Sequence, residues 1–322
     1  MWIATLVITA VVSLNYAILI LFFRKGWKNL SSTITSNQSS TFISILIPVR
    51  DEQENIPKLI EQLKKQTYQN NRFEILFIND HSTDDSVKLI DQGSNQLKNA
   101  KLIHLKGDTS GKKKAIWAGI QNSSGKLIVT LDADCLPMEK WLETIASFYQ
   151  TSKSQLIIAP VIMNRKKSML NALFCLEFIS LLASTAGAAG NKKPIMCNGA
   201  NLAFEKSFAE EIQNLYNQPI ASGDDMFLLE EAKQKDKTIH FCKSVDACVY
   251  TDPPETVRQF VSQRIRWTAK SRNYKDNFLR YTAISVFLMN FVLVGLLISS
   301  IFFFQNIYMF AGIILFKSLI DF

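Results

Sequence analysis

The chain has 322 residues, enough for one large domain or two small ones, and 48% of them are hydrophobic against 20% that are charged. The excess of hydrophobic residues lies at the two ends of the chain. The net charge is +8, and basic residues cluster next to those apolar ends. With no nucleic-acid-binding signature present, this placement favours membrane lipids as the charged partner and argues against nucleic acid. The five cysteines form no Cys-x-x-Cys pair and have no histidine pair nearby, so neither a disulfide framework nor a zinc site is expected.

Residues 1–23 contain no charged side chain and are followed by Arg24 and Lys25. At a rise of ~1.5 Å per residue, such a run crosses a hydrocarbon core of ~30 Å. A cleaved signal peptide would carry its positive charges before the apolar run, so we predict a transmembrane anchor. The positive-inside rule then places the chain from residue 24 onward in the cytoplasm, beginning with a polar, serine-rich linker at 24–40.

Apolar segments with the character of strands alternate with helical patterns through the middle of the chain. The predicted strands cover residues 42–48, 73–78, 102–105 and 126–131, and the predicted helices cover 54–66, 84–91 and 114–122. This alternation predicts an α/β fold with a mostly parallel sheet covered on both faces. Ligands of such sheets bind beyond the carboxyl ends of the strands, so the residues that follow each strand are the candidates for a site.

Carboxylates follow three of the predicted strands. Glu52 lies in the turn after the first strand, Asp80 after the second, and Asp132 and Asp134 after the fourth, while helix capping accounts for the neighbouring Asp84. A carboxylate pair directly after a buried strand needs a counter-charge, and residues two apart in a strand point the same way. Mg²⁺ or Mn²⁺ with substrate phosphates in its shell meets that need, so Asp132 and Asp134 are the predicted metal ligands.

The basic segment 109–114 is not a phosphate-binding loop of the P-loop type. Lys106 stands where the first glycine would be, and no serine or threonine follows Lys112. A Gly-x-Gly-x-x-Gly motif is also missing, which argues against a dinucleotide enzyme. The lysines at 112–114 open a helix, so they either face a phosphate at its N-terminus or form a solvated basic turn.

The segment 169–189 is apolar and rich in alanine, but it contains Asn171 and Glu177. A spanning helix would bury Glu177 at mid-membrane, at a cost of about 3 kcal/mol. It would also place the motifs before and after it on opposite sides of the bilayer. We therefore predict a buried or interfacial helix of the cytoplasmic domain.

Two constellations follow in the second half of the chain. Asp224 and Asp225 precede an apolar helix at 226–230, where one aspartate is a candidate N-cap and the other is available as a general base. Residues 263–267, Gln-Arg-Ile-Arg-Trp, lie in a basic amphipathic pattern typical of a membrane-surface helix. This pentad can contribute to a functional site and lie at the membrane surface at the same time.

The C-terminal part predicts further membrane segments. Residues 283–304 form a second spanning candidate, a turn is expected at 305–306, and a third apolar run covers 307–316. A complete hairpin and a membrane region that is truncated, or completed by a partner, are both consistent with this pattern. Other membrane subunits are therefore candidate partners.

The order of these motifs from about Thr41 to Trp267 resembles the family-2 glycosyltransferases, membrane-bound inverting enzymes that include cellulose, chitin, hyaluronan and poly-N-acetylglucosamine synthases. The resemblance implies a GT-A nucleotide-sugar-binding domain at 41–250, an interfacial helix region with the Gln-x-x-Arg-Trp motif at 251–282, and transmembrane segments at 283–322. It also implies a multi-pass protein of the cell (inner) membrane whose catalytic domain is cytoplasmic.

The resemblance carries roles over by position. Residues implied to bind the nucleotide sugar are Pro48, Arg50, Glu52, Asp80, Lys112 and Asp132, with Asp80 reading the base and Lys112 near the diphosphate. Residues implied to contact the acceptor or the diphosphate are Asn198, Gly199, Asn201, Gln263, Arg264, Arg266 and Trp267. Asp132 and Asp134 match the Asp-x-Asp motif that holds the metal, and Asp224 with Asp225 matches the Glu-Asp motif, with Asp225 as the implied base.

Two departures from the family pattern bear on function. The usual glutamate before the base is Asp224 here, a small change that preserves the role. The membrane portion is shorter than in synthases that export a polymer, so we do not expect this chain alone to secrete one.

The expected function is metal-dependent, inverting transfer of a sugar from a nucleotide-diphosphate sugar to a hydroxyl of a glycan or lipid-linked acceptor. The alternatives are a polyprenyl-phosphate glycosyltransferase, a non-catalytic nucleotide-binding membrane scaffold, and a nucleotidyltransferase. The last of these would not explain the pentad at 263–267 beside a membrane segment.

Overall fold

In the computed structural model of the chain, the described residues are 2–32, 39–94, 96–97, 99–107, 109–217, 224–271 and 276–321. Parts of the predicted linker 24–40 and of the predicted region 251–282 lie outside the described residues. The chain divides into two compact units. The smaller comprises Met1–Leu30, Ala183–Ile195 and Lys275–Phe322, and the larger comprises Ser31–Leu182 and Met196–Tyr274.

Ten strands are described, all in the larger unit. They are β1 (Ile43–Val49), β2 (Phe73–Asn79), β3 (Ala100–His104), β4 (Leu127–Leu131), β5 (Cys135–Pro137), β6 (Leu156–Ile158), β7 (Val161–Met163), β8 (Asn201–Glu205), β9 (Ile239–Phe241) and β10 (Val249–Thr251).

The α-helices of the described chain are α1 (Trp2–Asn29), α2 (Ile56–Lys64), α3 (Ser86–Ser94), α4 (Lys112–Asn122), α5 (Trp141–Ser152), α6 (Met169–Gly190), α7 (Lys206–Glu211), α8 (Gln213–Asn217), α9 (Asp224–Gln234), α10 (Val257–Ser271), α11 (Asn277–Ser299) and α12 (Asn306–Asp321).

The main sheet has the strand order β3-β2-β1-β4-β8-β6-β9. Strand β1 pairs in parallel with β2 on one side and with β4 on the other, and β8 runs antiparallel to β4 and to β6. After β1 the chain therefore continues towards one edge of the sheet, and after β4 it continues towards the other. A crevice opens at the carboxyl ends of two strands whose connections diverge in this way. The predicted α/β class with a mostly parallel sheet is confirmed.

Burial on both faces explains why the central strands read as continuous apolar runs. In β1 the residues from Ile43 to Ile47 are buried, and in β2 every residue from Phe73 to Asn79 is buried. Helix α2 covers this sheet with Ile56, Leu59, Ile60 and Leu63, which recur at helical spacing. The four strands expected from the first half of the sequence correspond to β1–β4.

The buried carboxylate of Glu74 links β1, β2 and β3 at the end of the sheet where these parallel strands begin. Glu74 of β2 accepts hydrogen bonds from Ser44 Oγ at 2.7 Å, from the Ser124 backbone N–H at 2.5 Å and from Lys101 Nζ at 3.2 Å. Ser44 Oγ in turn accepts from the Gly125 backbone N–H at 2.8 Å. Burial raises the pKa of Glu74, but these hydrogen bonds and the Lys101 charge outweigh it, so the pKa is lowered on balance.

Helices α1, α11 and α12 pack together in the smaller unit. Asn15 Nδ2 donates to Tyr281 Oη at 3.0 Å, and Tyr16 Oη donates to Asp321 Oδ1 at 2.7 Å. Where α1 meets the end of α6, a Cβ on Gly26 would lie 1.8 Å from the Gly187 carbonyl oxygen. Only glycine allows that approach.

Three described helices are long and apolar enough to cross a membrane, namely Ile3–Asn29, Met169–Gly190 and Asn277–Ser299. The predicted anchor at 1–23 overlaps the first, and the predicted second span at 283–304 overlaps the third, which ends at Ser299, so the turn expected at 305–306 begins earlier, at Ser300. The third begins before residue 283 because Asp276 caps it, accepting from the backbone N–H of Phe278 at 2.8 Å and of Leu279 at 3.0 Å. That the second of these helices, Met169–Gly190, is a buried or interfacial helix of the cytoplasmic domain stays a prediction.

We predict that Glu74→Ala lowers the free energy of unfolding at pH 7 by about 1–3 kcal/mol, because it leaves buried donors unpaired. A lowered pKa stabilises the fold above the ordinary pKa of glutamate, and this stabilisation is lost as the pH falls through the lowered value. The difference from the unsubstituted chain should therefore shrink on acidification below about pH 4.5. Denaturant unfolding of the full chain in detergent measures both effects.

The control is Glu61→Gln, which removes an exposed carboxylate paired with Lys64 on α2 and should leave the unfolding midpoint unchanged. An unchanged midpoint for Glu74→Ala as well would contradict this account of the sheet edge.

Candidate functional site

A cleft of about 670 Å³ lies in the larger unit. It is at the carboxyl end of β4, where the strand order of the sheet reverses. Residues from the strand ends, from the loop before β8 and from α10 line it together. The sequence-predicted residues among them are Lys112, Asp132, Asp134, Asn198, Gly199, Asp225, Gln263, Arg266 and Trp267.

The two aspartates that follow β4 both line this cleft. They lie in the turn between β4 and β5 rather than in a strand, and the residue between them, Ala133, is buried. Asp134 is exposed but lies inside the concave cleft, where partial desolvation and the charge of Asp132 raise its pKa. Lys112 Nζ lies 2.5 Å from Asp132 Oδ1.

A third carboxylate adds to the negative charge. Burial raises the pKa of Glu52, as do the charges of Asp134, Asp132 and Asp84, while a hydrogen bond from Asn55 Nδ2 at 2.6 Å opposes the rise. Glu52 does not line the cleft, but its repulsion with Asp132 and Asp134 favours a cation nearby.

The side chains that follow β4 suit a divalent metal ion. Asp132 and Asp134 supply hard carboxylate oxygens, the ligands that Mg²⁺ and Mn²⁺ prefer. Within the described ranges, no group of three or more His, Cys, Asp or Glu side chains is placed to hold a metal by protein ligands alone. The residues therefore fit a cation that completes its shell with substrate phosphates and water.

Asp80, at the end of β2, is buried and has an unpaired oxygen. Its Oδ2 accepts from the Gly111 backbone N–H at 2.8 Å and lies 3.6 Å from Arg50 Nη1, which also donates to Ser110 Oγ at 3.1 Å. Its Oδ1 is buried and has no hydrogen-bond partner among the described residues. A buried oxygen in this state can take a donor from a ligand. Gly111 has a φ of 103° and directly precedes Lys112.

The turns after β1 and β2 are tied to each other. Asp51 and His81 both adopt a left-handed backbone conformation, and Asp51 Oδ1 accepts from the Thr83 backbone N–H at 2.7 Å. Asp84 accepts from the Ser86 backbone N–H at 3.0 Å, in line with the capping role expected for it. Pro48 precedes this turn in β1 and pairs with Ile78.

Asp225 lies in the first turn of α9, against the loop that leads into β8. Its Oδ2 accepts from the Gly199 backbone N–H at 3.1 Å, and its Oδ1 accepts from the Met226 backbone N–H at 2.8 Å. A Cβ on Gly199 would lie 3.3 Å from Asp225 Cβ, so glycine permits the close approach. The Asp224 side chain, with Ser222 and Gly223, lies outside the described residues.

The structure places Asn201 and Arg264 outside the cleft lining. Asn201 is fully buried, its Oδ1 accepts from Trp141 Nε1 at 2.9 Å, and its Nδ2 donates to the carbonyls of Pro160 and Ala247, both at 2.8 Å. Arg264 turns to Glu177. The sequence shows a motif but not which of its residues a strand or helix turns inward.

The cleft also contains residues that the sequence did not indicate, namely Asp252, Glu255, Arg258 and Gln259. They follow β10 and open α10. Strand β10 has three residues, too short for a recognisable apolar pattern, although a carboxylate after a strand was the signal that identified Asp132.

Residues 44–211, just over half of the chain, match the family described as Glycosyl transferase family 2. The chain therefore belongs to this family.

Two relatives match shorter regions. Glycosyltransferase AglE of Haloferax volcanii is 34% identical over 102 residues, covering 32% of this chain and 33% of that protein. The undecaprenyl-phosphate 4-deoxy-4-formamido-L-arabinose transferase of Proteus mirabilis is 33% identical over 93 residues, covering 29% of this chain and 28% of that one. The matched part of the chain thus spans about a third or less of either relative.

A solved structure shows the same fold over nearly the whole chain. Mannosyltransferase PcManGT from Pyrobaculum calidifontis, in complex with GDP-Man and Mn²⁺, superimposes with a TM-score of 0.66 over 91% of this chain and 86% of that one, at 14% identity. The expected GT-A fold is confirmed.

We predict that Asn201→Ala lowers the free energy of unfolding by about 2–4 kcal/mol, because it leaves Trp141 Nε1 and two carbonyls unpaired in the core. Asn198→Ala, in the same loop, should change stability by less than about 1 kcal/mol, because it removes a single bond to the Ala200 backbone N–H at the cleft. Thermal or denaturant unfolding of the two variants measures the contrast, and equal effects would contradict the division of the loop into a buried and a cleft-lining part.

Proposed function

We propose that the chain transfers a sugar, with inversion, from a nucleotide-diphosphate sugar to a hydroxyl acceptor at the cytoplasmic face of the membrane. The observation that carries this proposal is the convergence of Lys112, Asp132, Asp134 and Asp225 on one cleft at the carboxyl ends of the strands. Membership of glycosyltransferase family 2 supports it, as does the likeness to a mannosyltransferase bound to GDP-Man.

The nucleotide half of the donor fits the side of the site formed by Asp80. The unpaired Oδ1 of Asp80 offers an acceptor to an N–H of the base, and the Arg50 guanidinium beside it limits the cost of burying the charge. Lys112 opens α4, whose N-terminus attracts anions, so the diphosphate is proposed to lie there. Lys112 then exchanges its contact with Asp132 for one with phosphate.

Asp225 is the proposed general base. Its carboxylate would remove the proton from the acceptor hydroxyl as the hydroxyl oxygen attacks the anomeric carbon and the nucleoside diphosphate leaves. The two backbone N–H groups that bond to Asp225 use one site on each oxygen, and a carboxylate offers about four, so an acceptor O–H can still bind. They also hold the carboxylate in one orientation at the cleft wall.

A divalent metal ion is proposed to bind at Asp132 and Asp134. When bound there, it would neutralise charge on the diphosphate leaving group. The raised pKa of Asp134 is consistent with a site that needs a cation. The structurally similar mannosyltransferase, solved in complex with Mn²⁺, supports use of such an ion.

A lipid phosphate is the second candidate acceptor. The relative named undecaprenyl-phosphate 4-deoxy-4-formamido-L-arabinose transferase favours it, and so do the apolar helices of the smaller unit. Assays with undecaprenyl phosphate and with short oligosaccharides, each with the same donor, separate the two acceptor classes.

Asp225→Asn should lower the transfer rate by about 100-fold or more, because the amide cannot take the proton. Binding of the nucleoside diphosphate should persist, since Asp80 and Lys112 are unchanged. Turnover of a panel of nucleotide sugars and calorimetric titration with UDP and GDP measure the two quantities. As a control, Asp91→Asn on the exposed surface of α3 should have the wild-type rate. Full activity of Asp225→Asn would eliminate this residue as the base.

Removal of divalent metal with EDTA should abolish transfer, and Mn²⁺ or Mg²⁺ should restore it. Asp134→Asn should raise the metal concentration needed for half-maximal rate by about tenfold or more, because one charged ligand is lost. Metal titrations of the transfer rate test this, and undiminished turnover in EDTA would show that the carboxylate pair serves another purpose.

A further inference from the structure

Arg264 of α10 is bound by a carboxylate on α6. Arg264 Nε donates to Glu177 Oε1 at 2.8 Å, and Arg264 Nη2 donates to Glu177 Oε2. Bidentate pairs of this kind fix the orientation of both groups as well as attracting them. The pair also gives a partner to Glu177, the one charged residue of α6.

Aromatic rings enclose the same guanidinium. Arg264 Cζ lies 4.5 Å from the ring centroid of Phe260 and 4.2 Å from that of Trp267. Phe260 stacks on Phe174 of α6 with centroids 4.2 Å apart, and the ring of Phe178, also on α6, lies 6.5 Å from Trp267. Helix α6 therefore meets α10 through an ion pair flanked by two ring contacts.

Arg264 also contacts two residues that line the cleft wall, Gln263 and Trp267. Arg264 Nη1 donates to Gln263 Oε1 at 2.7 Å, which fixes how the amide is turned. With Oε1 engaged, the Nε2 donors of Gln263 are left for a bound ligand, and within the described part of the chain they have no partner. The indole of Trp267 lies against the same guanidinium.

We propose that Glu177 is a positioning residue for transfer, which through Arg264 fixes the amide of Gln263 and the indole of Trp267 at the cleft. This inference rests on the proposed function, because the wall matters to rate only if a substrate binds against it. Both charged side chains are partly exposed, at 37% for Glu177 and 19% for Arg264, and the bidentate pair fixes the orientation of both. Its effect is on geometry, where a misplacement of about 1 Å can cost about 100-fold in rate.

The first test measures turnover of GDP-mannose and UDP-N-acetylglucosamine by the full chain in lipid nanodiscs. Glu177→Gln should lower kcat by about tenfold or more and leave the Kd for UDP or GDP within about twofold, because Asp80 and Lys112 are untouched. The matched control is Glu211→Gln, which breaks ion pairs with Lys235 and Lys237 and should keep the wild-type kcat. A wild-type kcat for Glu177→Gln would overturn the proposal.

Coupling between the partners is the second readout. If Glu177 acts through Arg264, the double variant Glu177→Gln with Arg264→Gln should be no slower than the slower single variant. Rate losses that multiply would show that the two residues act independently and would overturn the proposal.

The third readout needs no turnover. Quenching of Trp267 fluorescence by acrylamide, isolated by subtracting the signal of Trp267→Phe, should increase in Glu177→Gln and stay unchanged in Glu211→Gln. Unchanged quenching in Glu177→Gln would overturn the positioning role. A chain that turns over no donor in a panel of nucleotide sugars would count against the proposed function, and the quenching would still decide the role of Glu177.

Discussion

Like charges at one edge of the sheet are the constraint on which the site depends. Strands β1 and β4 are parallel neighbours, so the carboxylates that follow them are close enough to repel one another. Of these, Asp132 and Asp134 line the cleft, and Glu52 does not. Burial and mutual repulsion raise the pKa of Glu52 and Asp134 there. Lys112 offsets part of the charge at 2.5 Å from Asp132, and a bound cation together with an anionic substrate would offset the rest.

The small sheet ties the opposite wall of the cleft to these carboxylates. Strand β5 begins at Cys135, directly after Asp134, and Cys135 pairs with Thr251 at the end of β10. The chain then enters α10, which brings Gln263 and Trp267 across the cleft. A shift of β10 against β5 would therefore move one wall of the cleft relative to the other. The ion pair between α6 and α10 holds the second wall from its far side.

The sequence predicts the first half of the sheet well because β1, β2 and β4 are buried on both faces and read as unbroken apolar runs. It predicts little of β5–β10, since several of these strands have only three residues and are held by pairing rather than by local pattern.

The same limit applies within the site. Asp132 was found because it follows a long strand, whereas Asp252 follows a short one and was missed. Asn198 and Asn201 are three residues apart in one motif, yet one lines the cleft and the other lies in the core. Arg264 and Arg266 divide in the same way between the Glu177 pair and the cleft, because neighbouring residues of a helix face different directions.

The proposed reaction is a single displacement at the anomeric carbon, with Asp225 taking the proton. Proton NMR of the product formed from an α-linked nucleotide sugar reports the configuration of the new glycosidic bond. We expect a β-linked product, formed with inversion. An α-linked product, formed with retention, would contradict the single displacement.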